Sequence, residues 1–179
     1  MDATHLHLVL THFPIVGTIL GIGILAYGQF AKNEAIKKVA LVTFIVMAFL
    51  TIPVFLTGGE AEETVEHIAG VSEQSIEKHE ELAEIAIWLM GLLGVLSIIN
   101  LFVIIKRVTY AKHLSLITLI VSLGTFGLFA KVGGTGGEIR HSEIRSSNVT
   151  NDKGMFKSGE KEDHNDDDHE DDDHDDDDD

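Results

Sequence analysis

The chain has 179 residues, of which 45% are hydrophobic, and it carries a formal net charge of -16. Fifteen carboxylates and one lysine fall in residues 160–179, which leaves a net charge of only -2 on residues 1–159. The chain contains no cysteine, which excludes disulfides, thiolate metal sites, covalently attached c-type haem and iron–sulfur clusters with cysteine ligands.

Four long apolar segments follow one another along the chain, and their middles carry no charge. They cover approximately residues 6–30, 39–56, 82–105 and 114–131. Each segment is close to the ~20 residues needed to cross a bilayer. We therefore predict an all-α, integral membrane four-helix bundle over residues 1–141, built as two similar hairpins and in contact with the lipid bilayer.

Several glycines lie within these apolar segments. Small residues let helix backbones approach each other closely in a membrane, so we expect these glycines to lie at helix–helix contacts. The glycines concerned are Gly17, Gly21, Gly23, Gly28, Gly91, Gly94, Gly124 and Gly127.

The loops between the apolar segments differ in charge. The two short loops are basic, whereas residues 58–81 contain eight glutamates and one lysine. Basic loops of membrane proteins stay in the cytoplasm. We therefore expect a multi-pass protein of the bacterial inner membrane, with both termini and the acidic loop on the outer, periplasmic side.

One short stretch of sequence occurs twice. The sequence Thr-Gly-Gly-Glu, followed shortly by a histidine, is found at residues 57–60 and again at residues 135–138. A further histidine lies near the start of each predicted hairpin. In chain order, these four histidines are His12, His67, His79 and His141.

The histidines that begin the hairpins, His12 and His79, are the predicted cofactor ligands. Helices one and three of a four-helix bundle can lie diagonally opposite, and two neutral imidazoles on opposed helices are what a b-type haem needs. A transition metal ion at the same end is the alternative, and histidines are also stable at a membrane interface without any ligand. The predicted metal ligands near this end are His67, His141, Glu60 and Glu138.

The C-terminal part of the chain is polar and then strongly acidic. Residues 142–159 form a predicted polar linker, and residues 160–179 form an Asp/His-rich tail of low complexity. Such a tail cannot bury a core and repels itself, so we expect it to be disordered. It is either a solvated polyanion or a weak ligand for divalent cations. Its candidate ligands are His164, His169 and His174.

Residues 5–141 resemble a family of small predicted bacterial membrane proteins that is known only as a domain of unknown function. The resemblance lies in four helices, an opening His-x4-His-Phe-Pro, a histidine heading the third helix, and Gly-Gly-Glu near a histidine after the fourth. The matching residues are His7, His12, Phe13, Pro14, His79, Gly136, Gly137, Glu138 and His141. Leu8 follows His7 where the family usually has proline, so we assign no role to His7. The resemblance implies the fold and no particular activity.

The sequence contains no hydrolase elbow, phosphate-binding loop or His-Glu-x-x-His motif, and its acidic outer face argues against nucleic-acid binding. Our leading hypothesis is a membrane protein with a haem b or metal centre on its outer face that serves electron transfer and is not an enzyme on its own. The alternative is a non-catalytic accessory subunit of a membrane complex, such as a respiratory complex, or an envelope metal-binding protein that uses its tail.

Overall fold

A computed structural model describes residues 3–66 and 73–140 of the chain. These residues form α-helices joined by short turns, and no strand occurs among them, which confirms the predicted all-α class. The helices are α1 (Ala3–Phe30), α2 (Glu34–Glu66), α3 (Glu73–Ile105) and α4 (Ala111–Arg140). The predicted linker and tail, residues 142–179, lie outside the described residues.

The four helices are arranged as a ring. Each helix packs against the helix that follows it in the chain, and α1 also packs against α4. Consequently α1 lies diagonally opposite α3, and α2 lies diagonally opposite α4. The N-terminal ends of α1 and α3 and the C-terminal ends of α2 and α4 meet at one end of the bundle.

Three helices extend beyond the apolar segments that predicted them. Helix α2 continues past Leu56 to Glu66, α3 already begins at Glu73, and α4 continues through a glycine-rich stretch to Arg140. Each glycine inside a helix costs roughly 0.5–1 kcal/mol relative to alanine, so the sequence by itself favours a break there. Ala61 of α2, Ile76 of α3 and Thr135 of α4 are buried at this end of the bundle, so packing between the helices offsets part of that cost.

The surface and the interior of the bundle have the polarity expected in a membrane. All four helices are long and apolar enough to cross a bilayer. Large apolar side chains such as Phe30 and Trp88 are exposed on the outward faces, at 85% and 74%. Soluble helical bundles instead bury their apolar stripes and expose polar side chains. The chain is therefore a multi-pass membrane protein whose outward faces contact lipid.

The interior of the bundle combines apolar and small polar side chains. Phe44 and Met90 are fully buried at the centre of the apolar cluster. At the end of the bundle nearer the short turns, the Asn100 amide donates to Oγ1 of Thr118 at 3.1 Å and accepts from Oγ of Ser115 at 3.3 Å. These bonds join α3 to α4. They also pair polar side-chain groups that lipid tails cannot hydrogen-bond.

The short turns after α1 and α3 have the same backbone conformation. Each contains a basic residue with positive φ, Lys32 at 51° and Arg107 at 55°. The next residue, Asn33 or Val108, donates its amide to the carbonyl five residues earlier, at 3.0 and 3.1 Å. This is the hydrogen bond of a helix C-cap in which a left-handed residue ends the helix.

Asn33 also caps the start of α2. Its Oδ1 accepts from the backbone amides of Ala35 at 3.0 Å and Ile36 at 3.3 Å. We expect Asn33→Ala to lower the free energy of unfolding by about 1 kcal/mol, because these amides lose their acceptor. Circular dichroism during thermal unfolding in detergent micelles would measure the change, with Asn33→Asp as the control that keeps the acceptor. An unchanged midpoint for the alanine variant would contradict the capping role.

Candidate functional site

His7 lies near the start of α1 and is held by α2. Its Nδ1 is 3.0 Å from the backbone carbonyl oxygen of Val54 and 3.3 Å from Oγ1 of Thr57. The imidazole also lies against Gly58, where an added Cβ would be 3.5 Å from Cε1 of the ring. A carbonyl, a hydroxyl and a glycine of α2 therefore position this half-buried histidine.

His79 lies near the start of α3 and is held by α4 in the same way. Its Nδ1 is 3.0 Å from Oγ1 of Thr135, whose hydroxyl lies 2.9 Å from the backbone carbonyl oxygen of Val132. A Cβ added at Gly136 would be 3.1 Å from Cε1 of the imidazole. The threonine and glycine that hold His79 are the first two residues of the second Thr-Gly-Gly-Glu, as Thr57 and Gly58 are of the first.

The two histidines lie at the same end of the bundle. They begin the diagonally opposed helices α1 and α3, and each imidazole contacts the next helix in the chain. In each case a threonine hydroxyl and a glycine of that next helix lie against the ring. The structure thus brings together two histidines with matching surroundings.

The threonines determine which ring nitrogen carries the proton. Thr57 donates its hydroxyl proton to the carbonyl of Pro53 or Val54, at 2.9 and 3.0 Å, and Thr135 donates to the carbonyl of Val132 at 2.9 Å. A carbonyl only accepts, so Nδ1 of His7 donates to Val54. A hydroxyl has a single proton, so with Thr135 donating to Val132 its oxygen accepts from Nδ1 of His79. Nδ1 of both imidazoles therefore carries hydrogen, and Nε2 of each neutral ring keeps a free lone pair.

This arrangement of each imidazole is suited to binding a metal atom. Metal-ligating histidines bind through one ring nitrogen while the other donates to a carbonyl, carboxylate or water. Among the described side chains, no group of three or more His, Cys, Asp or Glu is placed to hold a metal ion. Two imidazoles are the number of protein ligands that a bis-histidine haem iron takes.

The structure places His12 apart from this pair. His12 follows His7 by five residues on α1, which turns its side chain by roughly 140° around the helix axis. Its side chain is exposed, and its Nδ1 lies 2.6 Å from the carbonyl oxygen of Leu8 in the same helix. The predicted ligand role of His12 stays a prediction, and it is His7, not His12, that the next helix holds in the way His79 is held.

The other predicted ligands are placed only in part. Glu60 is exposed on α2, and Glu138 belongs to the last turns of α4. Their ligand roles stay predictions, as do those of the histidines outside the described residues. These are His67, His141, His164, His169 and His174.

Sequence reasoning assigned no role to His7, Thr57 or Thr135. The signal was available, because the repeated stretch begins with a threonine whose hydroxyl can accept a hydrogen bond from an imidazole. The His-Phe-Pro sequence directed attention to His12 instead. Only the rotation of α1 about its axis shows which histidine reaches α2.

Comparison with known proteins adds no assignment. No protein-family model matches the chain, and no curated protein or solved structure is significantly similar to it. The resemblance described above therefore stays a prediction, and function has to be inferred from the geometry of the described residues.

Proposed function

We propose that this protein is an integral membrane electron-transfer module that binds a haem b or a transition metal ion at the end of the bundle where His7 and His79 lie. The observation that supports it is the pair of half-buried imidazoles, each fixed by a neighbouring helix so that Nε2 is free to bind a metal. When bound, such a group supplies one-electron redox chemistry. The chain supplies ligands, orientation and partial shielding from water.

We further infer that the bundle consists of two similar hairpins, α1–α2 and α3–α4. His79 follows His7 by 72 residues. The same spacing pairs five buried positions of α1 with five buried positions of α3. The 78-residue separation that relates Thr57 to Thr135 likewise relates buried positions of α2 and α4. The pairs in α1 and α3 are Pro14 and Ala86, Thr18 and Met90, Gly21 and Leu93, Leu25 and Ser97, and Gly28 and Asn100. Those in α2 and α4 are Lys37 and Ser115, Ala40 and Thr118, Phe44 and Ser122, and Thr51 and Phe129.

The charges of the short turns support an orientation for the site. Basic side chains, including Lys32 and Arg107, cluster at the end of the bundle opposite the histidines. The positive-inside rule favours this end in the cytoplasm. The histidine pair then belongs to the outer half of the membrane, where it would exchange electrons with a partner outside the cell membrane or within its plane.

The visible absorption spectrum of protein purified in mild detergent, oxidised and then reduced, tests this function. From cells supplied with haem and iron, we expect a Soret band and sharp reduced α and β bands, or a redox-active metal found by elemental analysis. The control is the double variant His7→Ala/His79→Ala, which should be helical by circular dichroism and lack the signal. A colourless and metal-free wild-type preparation, or one holding only a redox-inactive ion, would overturn the proposal.

The alternatives of an accessory subunit and of a cation-binding tail stay predictions. Residues 141–179 lie outside the described part of the chain. The described helices therefore bear only on the proposed redox module. Cation binding by the tail is a question for direct binding measurements.

A further inference from the structure

We infer that His7 and His79 are the two protein ligands of one metal atom, bound through their Nε2 atoms, and that Thr57 and Thr135 are positioning residues that fix which ring nitrogen faces the metal. This inference rests on the proposed function and assigns its cofactor to particular atoms. It differs from the sequence-based expectation by replacing His12 with His7.

The first support is the equivalence of the two histidines. Each imidazole shares its Nδ1 proton with a threonine hydroxyl, and each lies beside the glycine that follows that threonine. The hydroxyl of each threonine in turn lies near the carbonyl of a valine three residues earlier, Val54 at 3.0 Å or Val132 at 2.9 Å. Two histidines with such matched surroundings, on diagonal helices and at the same end of the bundle, are suited to one shared ligand rather than to two unrelated sites.

The second support is the number of ligands that the described residues offer. The described part of the chain brings two imidazoles together and no group of three or more metal-binding side chains. A b-type haem needs only these two, because its macrocycle supplies the remaining four. We therefore assign the iron of a b-type haem as the metal atom.

The third support is the role that the threonines would have around such a metal. With Nδ1–H fixed as a donor, the ring cannot offer the wrong nitrogen, and its rotation about the Cβ–Cγ bond is restricted. Replacing outer groups of this kind typically weakens metal binding by about 10–100-fold. Serine keeps the hydroxyl and valine removes it at nearly constant shape, so this pair of substitutions isolates the hydrogen bond.

Titration of haemin into the ligand-free protein tests the ligands. We expect His7→Ala and His79→Ala each to lose the six-coordinate, low-spin spectrum, and added imidazole to restore it by occupying the vacated position. His12→Ala is the matched control on the same helix and should bind haemin as the wild type does. Loss of the spectrum in His12→Ala with retention in His7→Ala would overturn the inference while leaving the proposed function intact.

The threonines are tested on the same protein. We expect Thr57→Val/Thr135→Val to weaken haemin binding by about 10–100-fold and Thr57→Ser/Thr135→Ser to retain it. Nitrogen-15 NMR of the ligand-free protein should show the Nδ1–H tautomer of His7 and His79 in the wild type and the serine variant, and mixed tautomers in the valine variant. Equal tautomer populations in all three would overturn the positioning role, whether or not haemin binds. If the wild type bound no haemin, the proposed haem itself would be refuted. Failure of the proposed function and failure of the positioning role therefore give different results.

Discussion

Replacing Gly136 with valine should weaken haemin binding by about 10–100-fold while all four helices remain formed. A Cβ at this position would already lie 3.1 Å from Cε1 of His79, and the two methyl groups of valine reach further. The imidazole is the mobile partner because Gly136 belongs to a helix backbone. The ring would therefore turn away, and its Nδ1 would lose the hydrogen bond to Thr135 that fixes the orientation of Nε2. Haemin titration followed by the Soret band would measure the loss.

Gly137→Val is the matched control for this experiment. A Cβ added at Gly137 meets nothing within 4 Å. Both substitutions replace a glycine of the same helical turn with the same β-branched residue, so their effects on helix propensity should cancel. Equal losses of binding in the two variants would mean that the helix end, not the contact with His79, is responsible.

Replacing Gly94 with leucine should destabilise the bundle by about 1–3 kcal/mol, because it overfills the contact between α3 and α2. A Cβ added at Gly94 would lie 2.7 Å from Cβ of Ala48. Both atoms are fixed to helix backbones, so neither can rotate away and the helices must separate. The midpoint of thermal unfolding in detergent, followed by circular dichroism, should fall accordingly.

Gly91→Leu provides the comparison for Gly94→Leu. Gly91 is one helical turn earlier in α3, is exposed, and has nothing within 4 Å of an added Cβ. Leucine is also a better helix former than glycine, so this variant should unfold at the same temperature as the wild type or slightly above it. If both variants unfolded at the same temperature, close packing at Gly94 would be refuted.

The sequence predicted the number and type of the helices because runs of apolar residues long enough to span a bilayer have few other interpretations. It did not predict where the helices end. Helix α4 passes through Gly133, Gly134, Gly136 and Gly137 before it ends at Arg140. Local propensity disfavours a helix through this stretch. The structure shows a role for one of these glycines, because Gly136 lets the imidazole of His79 lie against the helix backbone.

Glycine spacing predicted helix contacts less well than expected. Added Cβ atoms at Gly17 and Gly21 would lie within 3.0 Å of side-chain atoms of α2, as expected for close packing. An added Cβ at Gly23, Gly124 or Gly127 would meet nothing within 4 Å. Spacing along a helix gives the angle between two residues but not the direction in which either faces. A single sequence does not provide the missing rotation.

The same missing rotation explains the outcome for the site. His7 and His12 are both near the start of α1, and their sequence neighbourhoods made His12 the more conspicuous residue. A rotation of roughly 140° between them decides which one reaches α2. The repeated Thr-Gly-Gly-Glu was read correctly as a marker of one end of the bundle, whereas the hydrogen bonds made by its threonines required the structure.

The left-handed turns at Lys32 and Arg107 have a consequence for how the chain enters the membrane. A left-handed backbone costs a residue with a side chain roughly 1 kcal/mol more than glycine, so glycine would suit both positions better. Under the proposed orientation, however, these side chains are among the charges that keep the turns in the cytoplasm. A basic residue at each position therefore lowers local stability but helps to set the orientation of the chain in the membrane. Each turn directs insertion as well as reversing the chain.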